Sequence, residues 1–211
     1  SDVKYVNVIG NQYVSSDWIV ETSKLLDDVS MWGIDEAEIE EDLLTHPVLA
    51  SVKIEKQWLN TVNIHVDEYE RIAYVEEGDT FLPLLETGHT VENFEDTSIS
   101  PYDDPILIGF ENDDVRKELA NELTNVSPSI RQRMSEIHLS PIENDPNRLM
   151  IYMNDGFVVS STVNNFAERI EPYPLIVEQL DPDEEGIIHM RMNPYFESFE
   201  VEGDEEGESE G

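Results

Sequence analysis

"LLTHPVLASVKIEKQWLNTVNIHVDEYE", residues 43–70, sets a histidine against a proline and then runs into two stretches of alternating apolar residues. His46-Pro47 could mark a reactive pair or the stop of a helix, and the residues before it favour the stop. Asp35 reads as an N-cap, Glu38 three residues later as its capping-box partner, and Ile39 and Leu43 as an i, i+4 stripe. Pro47 ends that helix because the residue before a proline avoids the helical region. His46 is then a C-terminal helix residue, placed where a donor can meet the last carbonyls. Beyond Pro47, Val48, Ala50, Val52 and Ile54 share one face of a strand, and Val62, Ile64 and Val66 one face of the next, with "WLN" as the turn. Trp58, a lone aromatic beside Leu59, reads as a packed hydrophobe.

Working outward, "VKYVNVIGN" (3–11) predicts a strand with Val6 and Val8 on one face, stopped at Gly10-Asn11. A helix follows, capped by Ser15 or Ser16 and carrying Ile19, Leu25, Leu26 and Val29 near helical spacing. The unit is β-α-α-β-β and closes near residue 70. Further strands are expected at "RIAYVEE", "FLPLLE" and "PILIGF", the last after the acidic loop "EDTSISPYDDP". Two helices follow at "DVRKELANELTNV" and "PSIRQRMSEI". "RLMIYM" and "FVVSST" flank "NDG", whose Asp155-Gly156 is a type I′ hairpin signal. "TVNNFAERIEPYPLIVEQL" gives a helix interrupted at Pro172, and "IIHMRM" a last strand. The fold class is α+β: a small β-α-α-β-β domain over 1–70, a larger α+β domain on a mostly antiparallel sheet over 71–199, and a disordered acidic tail over 200–211.

The composition bounds the chemistry. Forty-eight acids against twelve bases give the 211 residues a net charge of −36, which repels nucleic acid and anionic lipid. Residues 1–70 carry 15 acids and 4 bases, 71–199 carry 26 and 8, and 200–211 carry 7 and none, so the acidity belongs mostly to the folded surface. With no cysteine there is no disulfide, thiolate metal site or cysteine nucleophile. No apolar run approaches the roughly 20 residues of a membrane helix, and a chain that begins without methionine, almost directly in a strand, is expected to be a fragment.

Catalytic motifs are missing. The five histidines never form HExxH or HxH, and GxSxG, GxxxxGK[ST] and GxGxxG do not occur. A glycosidase pair could be drawn from any two of the carboxylates, which selects none. "DPDEEGIIHMRM" (181–192) has Asp181, Asp183, Glu185 and Gly186 at calcium-loop positions but ends in Met192 where the bidentate glutamate belongs, so it reads as an acidic turn. Asn125-Val126-Ser127 is a glycosylation sequon followed by Pro128.

Several of these segments carry a resemblance. "VKYVNVIGNQYVSSDWI" looks like the strand, Gly-Asn turn and helix that open a POTRA domain. "HPVLASVKIEKQWLNTVNIHVDEYERIAYVEE" is similar to the proline, strand, Trp and strand block of the FtsQ/DivIB bacterial cell-division proteins, with Leu59 where that family usually has proline. "DTFLPLLETGHTVE", "DDPILIGF", and "NFAERIEPYPLIVEQL" followed by "IIHMRM" resemble its later segments, with Arg191 matching a family arginine, so the likeness spans residues 3 to about 196.

The resemblance implies a non-enzymatic, cofactor-free, extracytoplasmic scaffold of the divisome at the septum of a Gram-positive bacterium, with one membrane helix upstream. Its implied partners are FtsL and DivIC (the FtsB counterpart) and, through them, the septal transpeptidase and glycan synthase. It places partner binding on the last strand region, at Ile187, Ile188, Met190, Arg191, Met192, Tyr195 and Phe196. An open edge on "IIHMRM" would let a partner add a strand there. The competing expectation is a calcium-dependent or carbohydrate-acting wall module.

Overall fold

A computed structural model describes residues 1–92 and 104–199; the acidic loop's residues 93–103 and the expected tail at 200–211 lie outside the described residues. The chain divides into two compact units, the first Ser1–Glu70 and the second beginning at Arg71.

The first unit runs β1 (Tyr5–Ile9), α1 (Ser16–Ser23), α2 (Glu36–Leu43), β2 (Leu49–Gln57) and β3 (Thr61–Glu68). Its sheet has the order β1-β3-β2, with β1 parallel and β2 antiparallel to β3. The caps are those the sequence signals: Ser15 accepts from the Trp18 N–H and Asp35 from the Glu38 N–H. Val62, Ile64 and Val66 of the sheet are buried, as are Ile19, Ile39 and Leu43 of the helices, period 2 on the sheet and period 3.6 on the helices each giving one apolar face. Gly10 (φ +98°) ends β1 where a Cβ would stand 2.1 Å from the Val66 carbonyl oxygen. The loop that follows is held by Glu68, whose carboxylate accepts the N–H groups of Gln12, Tyr13 and Val14 at 2.9–3.0 Å.

Four expectations fail here for local reasons. The first helix stops at Ser23 because Lys24 turns left-handed at φ 57°, leaving Leu25 buried in a turn and Leu26 exposed. A β-bulge between Leu49 and Ser51 turns both Val48 and Leu49 inward and leaves Ala50 outside. His46 is an acceptor, its Nδ1 receiving the Val48 N–H at 3.2 Å, and its ring meets Trp18 edge-on at 4.8 Å. Trp58 is not packed: it is 80% exposed at the β2–β3 tip.

The second unit runs β4 (Arg71–Glu77), β5 (Thr80–Leu85), β6 (Ile106–Ile108), α3 (Asp113–Thr124), α4 (Pro128–Arg131), β7 (Met134–Leu139), β8 (Arg148–Met153), β9 (Val158–Thr162), α5 (Phe166–Ile170), α6 (Tyr173–Glu178), β10 (Gly186–His189) and β11 (Tyr195–Ser198). They build an eight-stranded sheet in the order β11-β10-β9-β8-β7-β6-β4-β5. Four of its seven ladders are antiparallel; the β4–β6, β6–β7 and β9–β10 pairs are parallel. Leu107, Ile137, Leu149, Ile151, Val159 and Ile188 form one core with Leu119 and Leu123 of α3, Phe166 and Ile170 of α5, and Tyr173.

Two expectations change. The second predicted helix is one turn, α4, and its remainder is β7. A bulge between Met134 and Glu136 puts Met134 and Ile137 on the same buried side, an i, i+3 spacing that imitates a helix. In the β8–β9 hairpin Gly156 has positive φ (94°) and Asp155 does not. The Gly156 N–H reaches the Met153 carbonyl and the Met153 N–H the Phe157 carbonyl, which is the longer loop with a glycine bulge rather than the type I′ turn.

Candidate docking edge

The last three elements build the site. Gly186 starts β10, which pairs with β9 on one side and β11 on the other. A strand covered on both sides has no edge to offer, so the open-edge expectation for "IIHMRM" is corrected: among the described residues the end strand is β11. The sequence reading named Tyr195 and Phe196 but did not see their strand, because Pro194 and a length of four residues gave little to read. Gly186 makes the pairing close: a Cβ there would lie 2.3 Å from the Glu197 carbonyl oxygen and 2.6 Å from the Phe196 ring.

The side chains divide by face. Ile188 and Met190 are fully buried, and the partly buried Phe196 packs on the same core, meeting Phe157 edge-on at 5.9 Å. On the other face the Tyr195 ring stacks on His189 at 4.4 Å, and His189 Nε2 lies 2.7 Å from Glu197 Oε2. Arg191 is engaged inside the chain: its Nε donates to Asp145 at 3.1 Å and its carbonyl accepts from Arg169. Asp145 also receives the Thr162 hydroxyl at 3.2 Å. Met192 is 87% and Tyr195 60% exposed. Thus, of the seven residues named from sequence, Met192 and Tyr195 face solvent, Ile187, Arg191 and Phe196 are half-buried, and Ile188 and Met190 belong to the core.

The sheet's two ends differ. Beyond β5 the chain folds back, with the Leu85 N–H on the His89 carbonyl and the Val91 N–H on the Pro83 carbonyl. Pro83 also lacks a donor of its own. At β11 the Phe199 N–H bonds the Glu185 carbonyl, and alternation along an antiparallel ladder then directs the Phe196 main chain outward. Among the described residues β11 is the last strand at this end.

Elsewhere several polar groups pair within the chain. Asp155 accepts the Tyr173 hydroxyl at 2.5 Å and pairs with Arg133 at 3.1 Å; burial, then Asp155, push the Tyr173 hydroxyl far above its ordinary range. Asp104 sits between Arg131 at 3.0 Å and Arg71 at 3.4 Å. Asp181 caps its own turn, accepting the Asp183 N–H at 2.9 Å. Among the described residues no three His, Asp or Glu converge as metal ligands, and no helix is long and apolar enough to cross a membrane.

Family profiles match both units: "POTRA domain, FtsQ-type" over residues 1–69 and "Cell division protein FtsQ/DivIB, C-terminal" over 73–191. The chain belongs to the FtsQ/DivIB family of cell-division proteins. Its DivIB relative in Bacillus selenitireducens is 39% identical over 100% of this chain and 80% of that one. Those in Geobacillus kaustophilus and Bacillus subtilis are 36% and 35% identical, covering 98% and 94% of this chain and 78% and 75% of theirs. A solved structure of the major extracytoplasmic domain of Geobacillus stearothermophilus DivIB is 38% identical, with a TM-score of 0.49 over 56% of this chain and 98% of that one. Membership in this DivIB group supports a role in the divisome.

Proposed function

We propose that this chain is a non-catalytic extracytoplasmic scaffold of a Gram-positive divisome, held at the septal membrane by a helix preceding Ser1. Its POTRA domain spans 1–70 and its β domain 71–199. It binds the extracellular segments of FtsL and DivIC and links them to septal peptidoglycan synthesis. The observation that carries this reading is the β11 edge. A partner strand adds to β11 by main-chain hydrogen bonds, and the side chains of Tyr195, Met192 and Ile187 select it. Phe196, seated on the core, keeps the edge in register.

The test uses Met192→Asp and Tyr195→Asp, both at exposed positions, titrated with the extracellular segments of the two partners. Each charge is expected to weaken binding about tenfold, equivalent to about 1.4 kcal/mol, with the melting temperature unchanged. Unchanged dissociation constants for both would remove β11 from the interface. Met190→Asp serves as the contrast: it charges the core and abolishes cooperative melting.

A further inference from the structure

The first unit gathers exposed apolar side chains at one end. Trp32 is 91% exposed, Trp58 80%, Leu59 70% and Tyr5 61%. They are distant in sequence, and main-chain bonds to the segment Ser1–Tyr5 bring them together. On one flank the Val3 N–H bonds the Val29 carbonyl at 2.8 Å and the Met31 N–H the Ser1 carbonyl at 3.0 Å, next to Trp32. On the other flank the Lys4 N–H reaches the Asn60 carbonyl at 2.8 Å, the Tyr5 N–H follows at 3.2 Å, and the Ser1 hydroxyl donates to the Leu59 carbonyl. Trp32 and the Trp58-Leu59 tip therefore stand on either side of the chain's point of entry into the fold.

The tip is built against local preference. Leu59 has φ +67°, a conformation that glycine or asparagine adopts at little steric cost and leucine does not. A leucine there costs conformational energy while leaving most of its apolar surface, 70%, exposed to water.

We infer that this end of the POTRA unit rests on the membrane surface, with Trp32, Trp58 and Leu59 in the headgroup and upper acyl region. The inference builds on the reading that a membrane segment precedes Ser1: a chain fixed in the bilayer just before Ser1 holds this end within a few residues' reach of the headgroups. Lipid fits better than a protein groove because the aromatics surround the entry point on a projecting tip, and tryptophan, apolar with one N–H donor, favours the membrane–water interface. Lys4 and Lys56 lie beside the tip, Lys56 near Glu36 at 3.9 Å. The chain's overall negative charge opposes anionic lipid, so the contact is apolar, weak alone, and effective through tethering.

The experiment tethers the chain by an N-terminal hexahistidine tag to phosphatidylcholine vesicles carrying a nickel-chelating lipid. In the Trp18→Phe variant, Trp32 and Trp58 are the reporters. Their emission is expected to shift to the blue on tethering and to be quenched by acyl chains brominated near the headgroup. In the Trp32→Ser, Trp58→Ser double variant, the remaining Trp18, half-buried beside His46, shows neither change, and a wild-type melting temperature shows that the unit is folded. Unaltered emission from the tethered Trp18→Phe chain overturns the inference. So does a shift produced by the soluble FtsL and DivIC segments without vesicles, which would make this end a protein-docking surface. Partner binding measured in solution on the wild-type chain separates the two readings: it fails if the scaffold reading is wrong and is retained if only the membrane contact is wrong.

Discussion

Glu68 shows how one side chain can organise a loop that its neighbours in sequence leave undefined. Three N–H groups from Gln12 to Val14 converge on its carboxylate, and hydrogen bonds to a charged group are the stronger kind. Glu68→Ala should cost the first unit about 2 kcal/mol, read as a lower urea midpoint with an unchanged slope. Tyr173 makes a prediction in pH. Its hydroxyl is held protonated above the ordinary value of 10.0 by burial and by Asp155, so its contribution is complete below pH 10 and is lost above it, where the unfolded chain releases the proton and the folded chain keeps it. The stability advantage of wild type over Tyr173→Phe should therefore shrink as pH rises through 10, measured by denaturant unfolding between pH 8 and about 11. Neither contact was legible in the sequence, because each joins residues whose proximity only the fold creates. Trp58 was misread for the opposite reason: its type favours burial, and nothing in the residues around it says that the tip projects.

At the scale of elements, caps and alternation carried most of the prediction. Ser15 and Asp35 cap the helices they were expected to cap, and the strands of the first unit fall where apolar residues alternate. Two of the failures share a cause: at β2 and β7 a bulge shifts the period by one, so Ala50 leaves the buried face and Met134 joins Ile137 in a helix-like spacing. An inserted residue leaves no compositional mark on a single sequence. The docking edge was half legible, since Tyr195 and Phe196 were named while β11 and the covering of β10 were not. Gly186→Ala should push β11 away from β10, because the added methyl meets the Glu197 carbonyl and the Phe196 ring. Amide exchange is expected to quicken at Tyr195 and Glu197, the β11 residues whose main chain faces β10, and to stay slow at Ile151, with a stability cost of about 1–3 kcal/mol.

For the whole molecule, the charge is the feature that composition gave first and the fold explains least. The net −36 is spread over both units, and seven acids fall in the twelve residues 200–211. Those seven come directly after β11, the end strand of the sheet among the described residues and the one proposed above to take a partner's strand. An edge that can accept a partner's strand can equally accept a second copy of itself, and repulsion between acidic ends opposes that pairing. A chain shortened to residue 199 should self-associate in 1 M salt, seen as a concentration-dependent rise in sedimentation coefficient, while the 211-residue chain should resist it at low salt. In colloidal terms, seven like charges next in sequence to an adhesive seam act as a charge stabiliser, holding off a like-charged copy while a less acidic strand still passes.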